Sequence, residues 1–161
     1  MIVVSDTSPL SYLSKLNRLE LLPQLFGEVV IPPTVLAEWE RDASSASART
    51  LARQGGWLRA IAPMDEAAVA DLERSIDRGE AEAIVLAQER RADLLLIDEE
   101  DGRAMAEKVG LEITGVLGVL LRAKRSGAIS AVRPELERLL SESSFFCSDS
   151  LLENVLRLAG E

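Results

Sequence analysis

The chain has 161 residues, a formal net charge of −9, no histidine and a single cysteine, Cys147. This length fits one domain, and the residue counts exclude a Ser-His-Asp triad, a Cys-His pair, a histidine-based zinc site, other soft-metal sites and an internal disulfide. Carboxylates, hydroxyls, lysines and arginines remain for chemistry. The acidity argues against a broad phosphate-binding surface. It is compatible with a basic partner, or with an acidic pocket that needs a cation before it can meet a phosphate.

The apolar runs of the chain are short. "ADLLLID" is far below bilayer length, and "MIVVSD" has neither the basic region nor the hydrophobic stretch of a secretion signal. The single cysteine suits a reducing compartment. We therefore expect a cytoplasmic protein with no membrane association.

Strand and helix patterns alternate along the first half of the chain. Two prolines end the β-rich run "EVVIPP", and Pro33 suits the first turn of the helix that follows. Gly55-Gly56 closes a helix of small residues. The predicted elements are a strand at about 2–5, helices at roughly 9–16 and 18–26, a strand in "EVVIPP", a helix in "PPTVLAEWERDA", a helix around 44–54 and a peripheral strand in "WLRAIAP".

The same alternation continues in the second half. "DLLLID" is a continuous apolar run, as is typical of a buried parallel strand. The other predicted elements are helices in "DEAAVADLERSI" and "GEAEAIVLAQERRA" parted at Asp77-Arg78-Gly79, a helix in "DGRAMAEKVG", a short strand in "LEITG", and helices in "VLGVLLRAKRSG", "RPELERLLSES" and "SLLENVLRLAGE". The pattern predicts an α/β domain with a parallel sheet and helices on both faces. Ligands of such domains lie outside the carboxyl ends of the strands.

Acidic residues occur at the ends of elements that would meet at that edge. They are Asp6, Glu38, Glu80 with Glu82, and Asp98 with Glu99, Glu100 and Asp101. Carboxylates gathered in one place repel one another and are costly to desolvate, so a hard cation such as Mg²⁺ or Mn²⁺ is expected among them. An acid-only metal site beside a phosphodiester indicates metal-assisted hydrolysis.

Each acid also has a structural interpretation. Asp6 would cap the following helix, Glu38 would be a solvated helix residue, and Glu80 would be a first-turn charge that interacts with the helix dipole. Glu82 is more typical of a surface acid. Asp98 is the hardest to explain structurally, because an apolar strand carries it to the ligand edge.

Five ordered motifs resemble one known family. "VVSDTSPL", "VIPPTVLAEWE", "DRGEAEAIVLA", "LLLIDEEDGRAMA" and "ITGVLGVLLRAKRSGAI" together resemble the PIN-domain nucleases, in particular a prokaryotic stand-alone branch similar to VapC-type toxins. The resemblance implies one three-layer α/β/α domain over 1–161 with a central parallel sheet of about 4–5 strands. The helices at about 131–161 would then be a closing or interaction element.

The resemblance also implies a Mg²⁺- or Mn²⁺-dependent ribonuclease. It places the family's acids on Asp6, Glu38, Glu80 and Asp98, with Glu99 at the second position of an "IDD" pair. Glu stands at positions 80 and 99, where Asp is usual, which lengthens each of these two arms by one methylene. Asp6, Glu80, Asp98 and Glu99 are the implied metal ligands, with Glu38 completing the catalytic set.

Further contacts follow from the same interpretation. Ser8 is placed to contact a metal-bound water or a phosphate, although a helix-capping role is an equal alternative. Many stand-alone members are toxins that a small antitoxin protein inhibits and that form homodimers, so both partners are expected besides RNA. Cations for RNA binding would come from Arg41, Arg49, Arg53, Arg78 or Arg103, or from a dimer mate. Phe145 and Phe146 would close the core or form a partner surface.

Three competing functions remain to be weighed. A haloacid-type phosphatase needs an aspartate two residues after the nucleophile, and this chain has Ser8 at that position. A receiver domain needs a late lysine for which Lys124 is a poor match. The third alternative is a non-catalytic PIN-like module that binds RNA or protein.

Overall fold

The computed structural model describes residues 1–42 and 45–161. In this part of the chain a five-stranded parallel sheet has the order β3-β2-β1-β4-β5. The strands are β1 (Val3–Ser5), β2 (Val29–Ile31), β3 (Leu58–Ala60), β4 (Leu94–Leu96) and β5 (Ile113–Thr114). The helices are α1 (Thr7–Lys15), α2 (Leu21–Phe26), α3 (Pro33–Arg41), α4 (Ala46–Gly55), α5 (Glu66–Leu72), α6 (Arg78–Arg90), α7 (Glu100–Lys108), α8 (Val116–Arg125), α9 (Arg133–Glu142) and α10 (Asp149–Leu158).

The three central strands β1, β2 and β4 are buried on both faces, whereas β3 is exposed at Arg59 and Ala60. Alternate strand residues point to opposite faces, so Val3 and Leu96 pack with α1–α4 and α8–α10, whereas Val4 and Leu95 pack with α5, α6 and α7. Strands covered on both sides must be apolar at every position, which explains their continuous hydrophobic runs. The result is the predicted three-layer α/β/α arrangement.

The order of the strands reverses at β1. The chain builds β2 and β3 on one side of β1 and then β4 and β5 on the other. The carboxyl ends of β1 and β4 therefore flank a topological switch point, the place where α/β sheets hold their ligands. The Asp6 amide donates to the Leu96 carbonyl over 2.9 Å and ties the two strand ends together.

Several element boundaries differ from the sequence prediction. Helix α1 begins at Thr7, two residues early, and α2 begins at Leu21 rather than near 18, because Asn17 takes a positive φ of 55° that ends α1 in a turn. Helix α5 ends at Leu72, earlier than predicted, and α6 begins at Arg78, so the break between the two helices covers residues 73–77 and ends at the capping residue Asp77. The predicted start of α4 at residue 44 lies outside the described residues.

The C-terminal helices pack against α1 and α8. Phe145 lies edge-on to Tyr12, with ring centroids 5.3 Å apart, whereas the Phe146 side chain is 86% exposed. Of the two phenylalanines, only Phe145 therefore contributes to closing the core. No helix within residues 1–42 or 45–161 is both long enough and apolar enough to cross a membrane.

Candidate active site

Asp6 is a buried carboxyl at the end of the central strand. It occupies the N-cap position of α1, but its side chain makes no capping hydrogen bond. Its exposed fraction is only 3%. Burial raises the pKa of Asp6 well above its usual value, and the negative charges of Glu80, Asp77 and Glu38 raise it further, while the Thr7 amide acts in the opposite direction. The neighbouring charges named here are all negative, so they disfavour the ionised form of Asp6.

The first turn of α6 brings Glu80 to the same place. Asp77 accepts a hydrogen bond from the Glu80 amide over 2.8 Å, and the Glu80 carboxylate accepts one from the Asp77 amide over 3.2 Å, which completes a capping box. Glu80 is 5% exposed. Burial, then the charges of Asp77, Glu99 and Asp101, raise the pKa of Glu80 to about 7.

Glu38 reaches this turn from α3. Its carboxylate accepts a hydrogen bond from the Thr7 hydroxyl. A Cβ added at Gly79 would lie 2.9 Å from Glu38 Oε1, so the absence of a side chain at this helical position lets the two helices approach. A Cβ at Gly102 would similarly lie 3.3 Å from Glu80 Oε1. The glycines of the sequence motifs therefore leave room for the acids.

Asp98 is held on the other side of the switch point. The Val116 amide, at the start of α8, donates to both of its carboxylate oxygens over 3.0 and 3.2 Å. Burial raises the pKa of Asp98 to about 6, although the Val116 amide and the Arg103 charge act against the shift. A Cβ at Gly115 would lie 2.3 Å from Asp98 Oδ1 and 3.2 Å from Arg103 Nη1. Only glycine fits this contact.

Within the acidic edge, the name used here for the carboxyls of Asp6, Glu38, Glu80, Asp98 and Glu99, the charge of Glu99 acts on both Glu80 and Asp98. Glu99 accepts a hydrogen bond from the Ser8 hydroxyl over 3.2 Å. Its charge raises the pKa of both Glu80 and Asp98. Asp77, Glu80, Glu99 and Asp101 also line a cavity of about 560 Å³. Ser8 therefore bonds a member of the acidic edge, and its hydroxyl is not used as a helix cap.

A family model described as DUF3368, a PIN domain, matches residues 2–161. The chain is a PIN domain. The predicted resemblance to the PIN-domain family is thereby confirmed, and the α/β/α layers with their parallel sheet agree with this family. PIN domains are nucleases as a class, so the chain has a nuclease fold. None of the curated proteins compared with the chain matches it.

The acids of this PIN domain do not form a ready-made ion cage. Within residues 1–42 and 45–161, no three acidic or cysteine side chains stand close enough together to hold a metal ion. Their chemistry nevertheless fits Mg²⁺ or Mn²⁺, because all the donors are carboxylate oxygens and because burial raises the pKa of Asp6, Glu80 and Asp98, whose ionised forms a cation would stabilise. The Asp77 amide donates to Glu80 Oε2, so Glu80 could bind a metal ion through Oε1.

The expectation that Glu82 is a surface acid is wrong. Glu82 is 6% exposed and accepts a hydrogen bond from Arg78 Nε over 2.9 Å. Arg78 also pairs with Glu66 and Glu73, so this face of α6 is an ion-pair network that joins it to α5. The charge of Glu80 raises the pKa of Asp6, whereas one carboxylate oxygen of Glu82 is paired with Arg78.

Most of the predicted RNA-binding arginines have structural partners. Arg49 donates to the Trp39 and Asp42 carbonyls, Arg53 pairs with Glu40, and Arg78 belongs to the network described above. Arg103 is different, because it lies beside Asp98 and donates to the Ile97 carbonyl over 2.9 Å. Arg103 therefore directly adjoins Asp98, one of the proposed site acids.

Two residues of the site were missed by sequence reasoning. Thr7 orients Glu38, and Asp77 caps α6 while its charge raises the pKa of Asp6 and Glu80. The spacing Asp77-x-x-Glu80 is the signature of a capping box, and this signal was available in "DRGE". No sequence signal pairs Thr7 with a residue 31 positions away.

Proposed function

We propose that this PIN domain is a Mg²⁺- or Mn²⁺-dependent endoribonuclease, a hydrolase of RNA phosphodiester bonds, with residues 1–161 acting as one unit. The observation that carries the proposal is Asp6. It is a carboxyl with 3% exposure at the switch point, it makes no side-chain cap, and two further carboxyls with raised pKa values, Glu80 and Asp98, flank the same edge. Burial and mutual repulsion disfavour the ionised forms of these carboxyls, whereas a cation among them makes those forms favourable.

Each acid has a separate task in this proposal. Asp6, Glu80 and Asp98 hold the ion, with Glu99 as a further ligand. Glu38, fixed by the Thr7 hydroxyl, orients the attacking water, and Ser8 contacts that water or the phosphate. When bound, the ion lowers the pKa of water and neutralises charge that develops on the phosphate oxygens.

The cellular role that we propose is that of a toxin in a toxin–antitoxin pair, acting in the cytoplasm. This rests on the resemblance of the motifs to VapC-type proteins. A net charge of −9 and the acidic cavity of about 560 Å³ suit a basic segment of a small antitoxin. A homodimer is proposed on the same resemblance.

One observation favours a second function. The absence of a three-carboxylate group in the described residues suits a non-catalytic PIN-like module that binds RNA or protein without cutting it. In that case Mn²⁺ would leave the melting temperature unchanged. The change of melting temperature on adding Mn²⁺ therefore distinguishes the two functions, and measuring it needs no knowledge of the substrate.

The deciding experiment is cleavage of a labelled RNA pool by the purified chain with Mn²⁺ and with EDTA. Asp6→Asn and Asp98→Asn are assayed beside it, and Asp71→Asn, at an exposed position on α5, serves as control. Metal-dependent cutting that both site variants lose and the control retains would support the ribonuclease. No cutting, together with no rise in melting temperature on adding Mn²⁺, would leave only the binding module.

A further inference from the structure

An apolar groove runs from the acidic edge along the C-terminal helices. It has a volume of about 360 Å³ and lies between α8, which contributes Leu117 and Leu121, and α10, which contributes Leu151 and Leu158. Leu151, Leu158 and Phe146 are among the most exposed large hydrophobic side chains in the described residues. Their exposure beside the acids is not explained by the catalytic roles proposed above.

The inner end of this groove is polar. Asp98 and Arg103 line it there. Arg103 lies in no ion pair within the described residues and uses Nη1 to bond the Ile97 carbonyl, and its positive charge lowers the pKa of the neighbouring Asp98. One end of the groove thus offers a cation next to a proposed metal ligand, and its body offers apolar and aromatic surface.

The chain that leads to Phe146 is anchored beside the groove. Its neighbour Phe145 is anchored against Tyr12, and the Phe145 amide donates to the Ser143 hydroxyl over 3.1 Å. Ser143 in turn donates to the Leu139 carbonyl of α9. Because the side chain and the backbone of Phe145 are both anchored, the backbone before the exposed Phe146 is restricted, which lowers the entropy cost of holding Phe146 at the groove.

This combination matches the parts of a nucleotide. A phosphate requires a cation, and a base offers a flat apolar face that stacks on an exposed aromatic ring. We propose that the groove is a nucleobase subsite, in which Phe146 stacks on the base of the nucleotide next to the scissile phosphate while Arg103 contacts its phosphate. This inference rests on the proposed ribonuclease function and adds the two residues that would hold one nucleotide of the substrate.

The test uses the full chain and a single-stranded oligoribonucleotide that contains one 2-aminopurine, whose fluorescence falls on stacking. Ca²⁺ replaces Mn²⁺ for binding, and Mn²⁺ is used for cleavage kinetics. We expect Phe146→Ala to lose the quench, to weaken binding by about 5- to 30-fold and to raise KM with little change in kcat. Phe146→Trp should restore all three. Met64→Ala is the matched control, because Met64 is 91% exposed and does not line the groove, and it should behave as the parent.

The outcomes separate this inference from the proposed function. If the parent protein cuts RNA with Mn²⁺ but Phe146→Ala keeps the quench and the parent KM, the subsite is overturned and the ribonuclease stands. If the parent does not cut RNA, the ribonuclease fails, whatever the quench shows. If Phe146→Ala converts a dimer into a monomer in sedimentation and leaves RNA binding unchanged, the groove holds a second copy of the chain and not a base.

Discussion

Asp6 shows how a single residue reveals a site. A carboxyl at the end of a strand and the start of a helix usually caps that helix, because the side-chain oxygen then satisfies a free backbone N–H. Asp6 has the position without the capping bond, and it is surrounded by the charges of Glu80, Asp77 and Glu38. Neutralising it should therefore relieve a cost in the ion-free protein.

We predict that Asp6→Asn raises the free energy of unfolding at pH 8 in EDTA by about 1–3 kcal/mol, because the ionised carboxyl is buried and its pKa is raised. Asparagine keeps the shape and removes the buried charge. The same variant should lose the stabilisation that Mn²⁺ gives to the parent chain. Urea unfolding with and without Mn²⁺ measures both effects. Asp71→Asn should change stability by less than about 0.5 kcal/mol, and destabilisation by Asp6→Asn in EDTA would show that the ionised carboxyl has a structural role.

Gly115 tests the placement of Asp98 in a similar way. Its added Cβ would lie 2.3 Å from Asp98 Oδ1, so Gly115→Ala must displace the carboxylate from the Val116 amide. We expect a loss of about 1–3 kcal/mol of stability and at least a tenfold loss of RNA cleavage. Gly118→Ala is the control, because its Cβ would crowd Thr114 Oγ1 at 1.8 Å without touching Asp98. If both variants lose stability but only Gly115→Ala loses the Mn²⁺ response, Asp98 is a metal ligand.

The α6 N-terminus shows two uses of one element. Asp77 and Glu80 cap the helix reciprocally, and the same Glu80 carboxylate is the proposed ligand. The capping bond uses Glu80 Oε2 and holds the side chain at the acidic edge, where Oε1 could bind an ion. An ordinary structural motif of a helix start can thus keep a functional carboxylate in place.

We predict that Asp77→Ala costs about 1 kcal/mol of stability through the lost cap. It also removes a negative charge that raises the pKa of Asp6 and Glu80, so both pKa values should fall and Mn²⁺ binding should shift to lower pH. Asp65→Ala is the matched control, since Asp65 caps α5 by accepting from the Ala68 amide over 3.0 Å. Calorimetry should find similar losses of stability for both, and a pH shift of Mn²⁺ binding in Asp65→Ala would refute the electrostatic argument.

Over the whole molecule, the sequence predicts the layers better than the site. Apolar runs, prolines and glycines are local signals, and they are enough for the alternation of strands and helices and for Asp6 and Asp98 at strand ends. The burial of Glu82 was not predictable, because it depends on how α5 packs on α6 and brings Glu66 and Glu73 to Arg78. Which carboxylates meet is likewise a property of packed helices and not of spacing along the chain.

The acidic edge should also control the stability of the whole chain as pH changes. Asp6, Glu80 and Asp98 bind their protons more tightly in the folded chain, where the pKa of Glu80 is about 7 against 4.5 and that of Asp98 about 6 against 3.8. At pH values between the ordinary pKa and the folded-state pKa of each group, the folded chain holds more protons than the unfolded chain. The free energy of unfolding therefore falls as pH rises from about 4 to about 7. Glu161 acts oppositely but only at lower pH, because the Val132 amide and Lys124 lower its pKa to about 2.

We therefore predict that, in EDTA, the melting temperature falls between pH 5.5 and pH 8, and that Mn²⁺ removes most of this fall because it stabilises the ionised carboxylates. Differential scanning calorimetry at pH 5.5, 6.5 and 8 measures the effect. The double variant Asp6→Asn with Glu80→Gln should have a flatter profile in EDTA and should not respond to Mn²⁺. A parent melting temperature that rises with pH across this window would mean that the three carboxyls are stabilised as anions by the fold itself, and the case for a cation at this edge would fail.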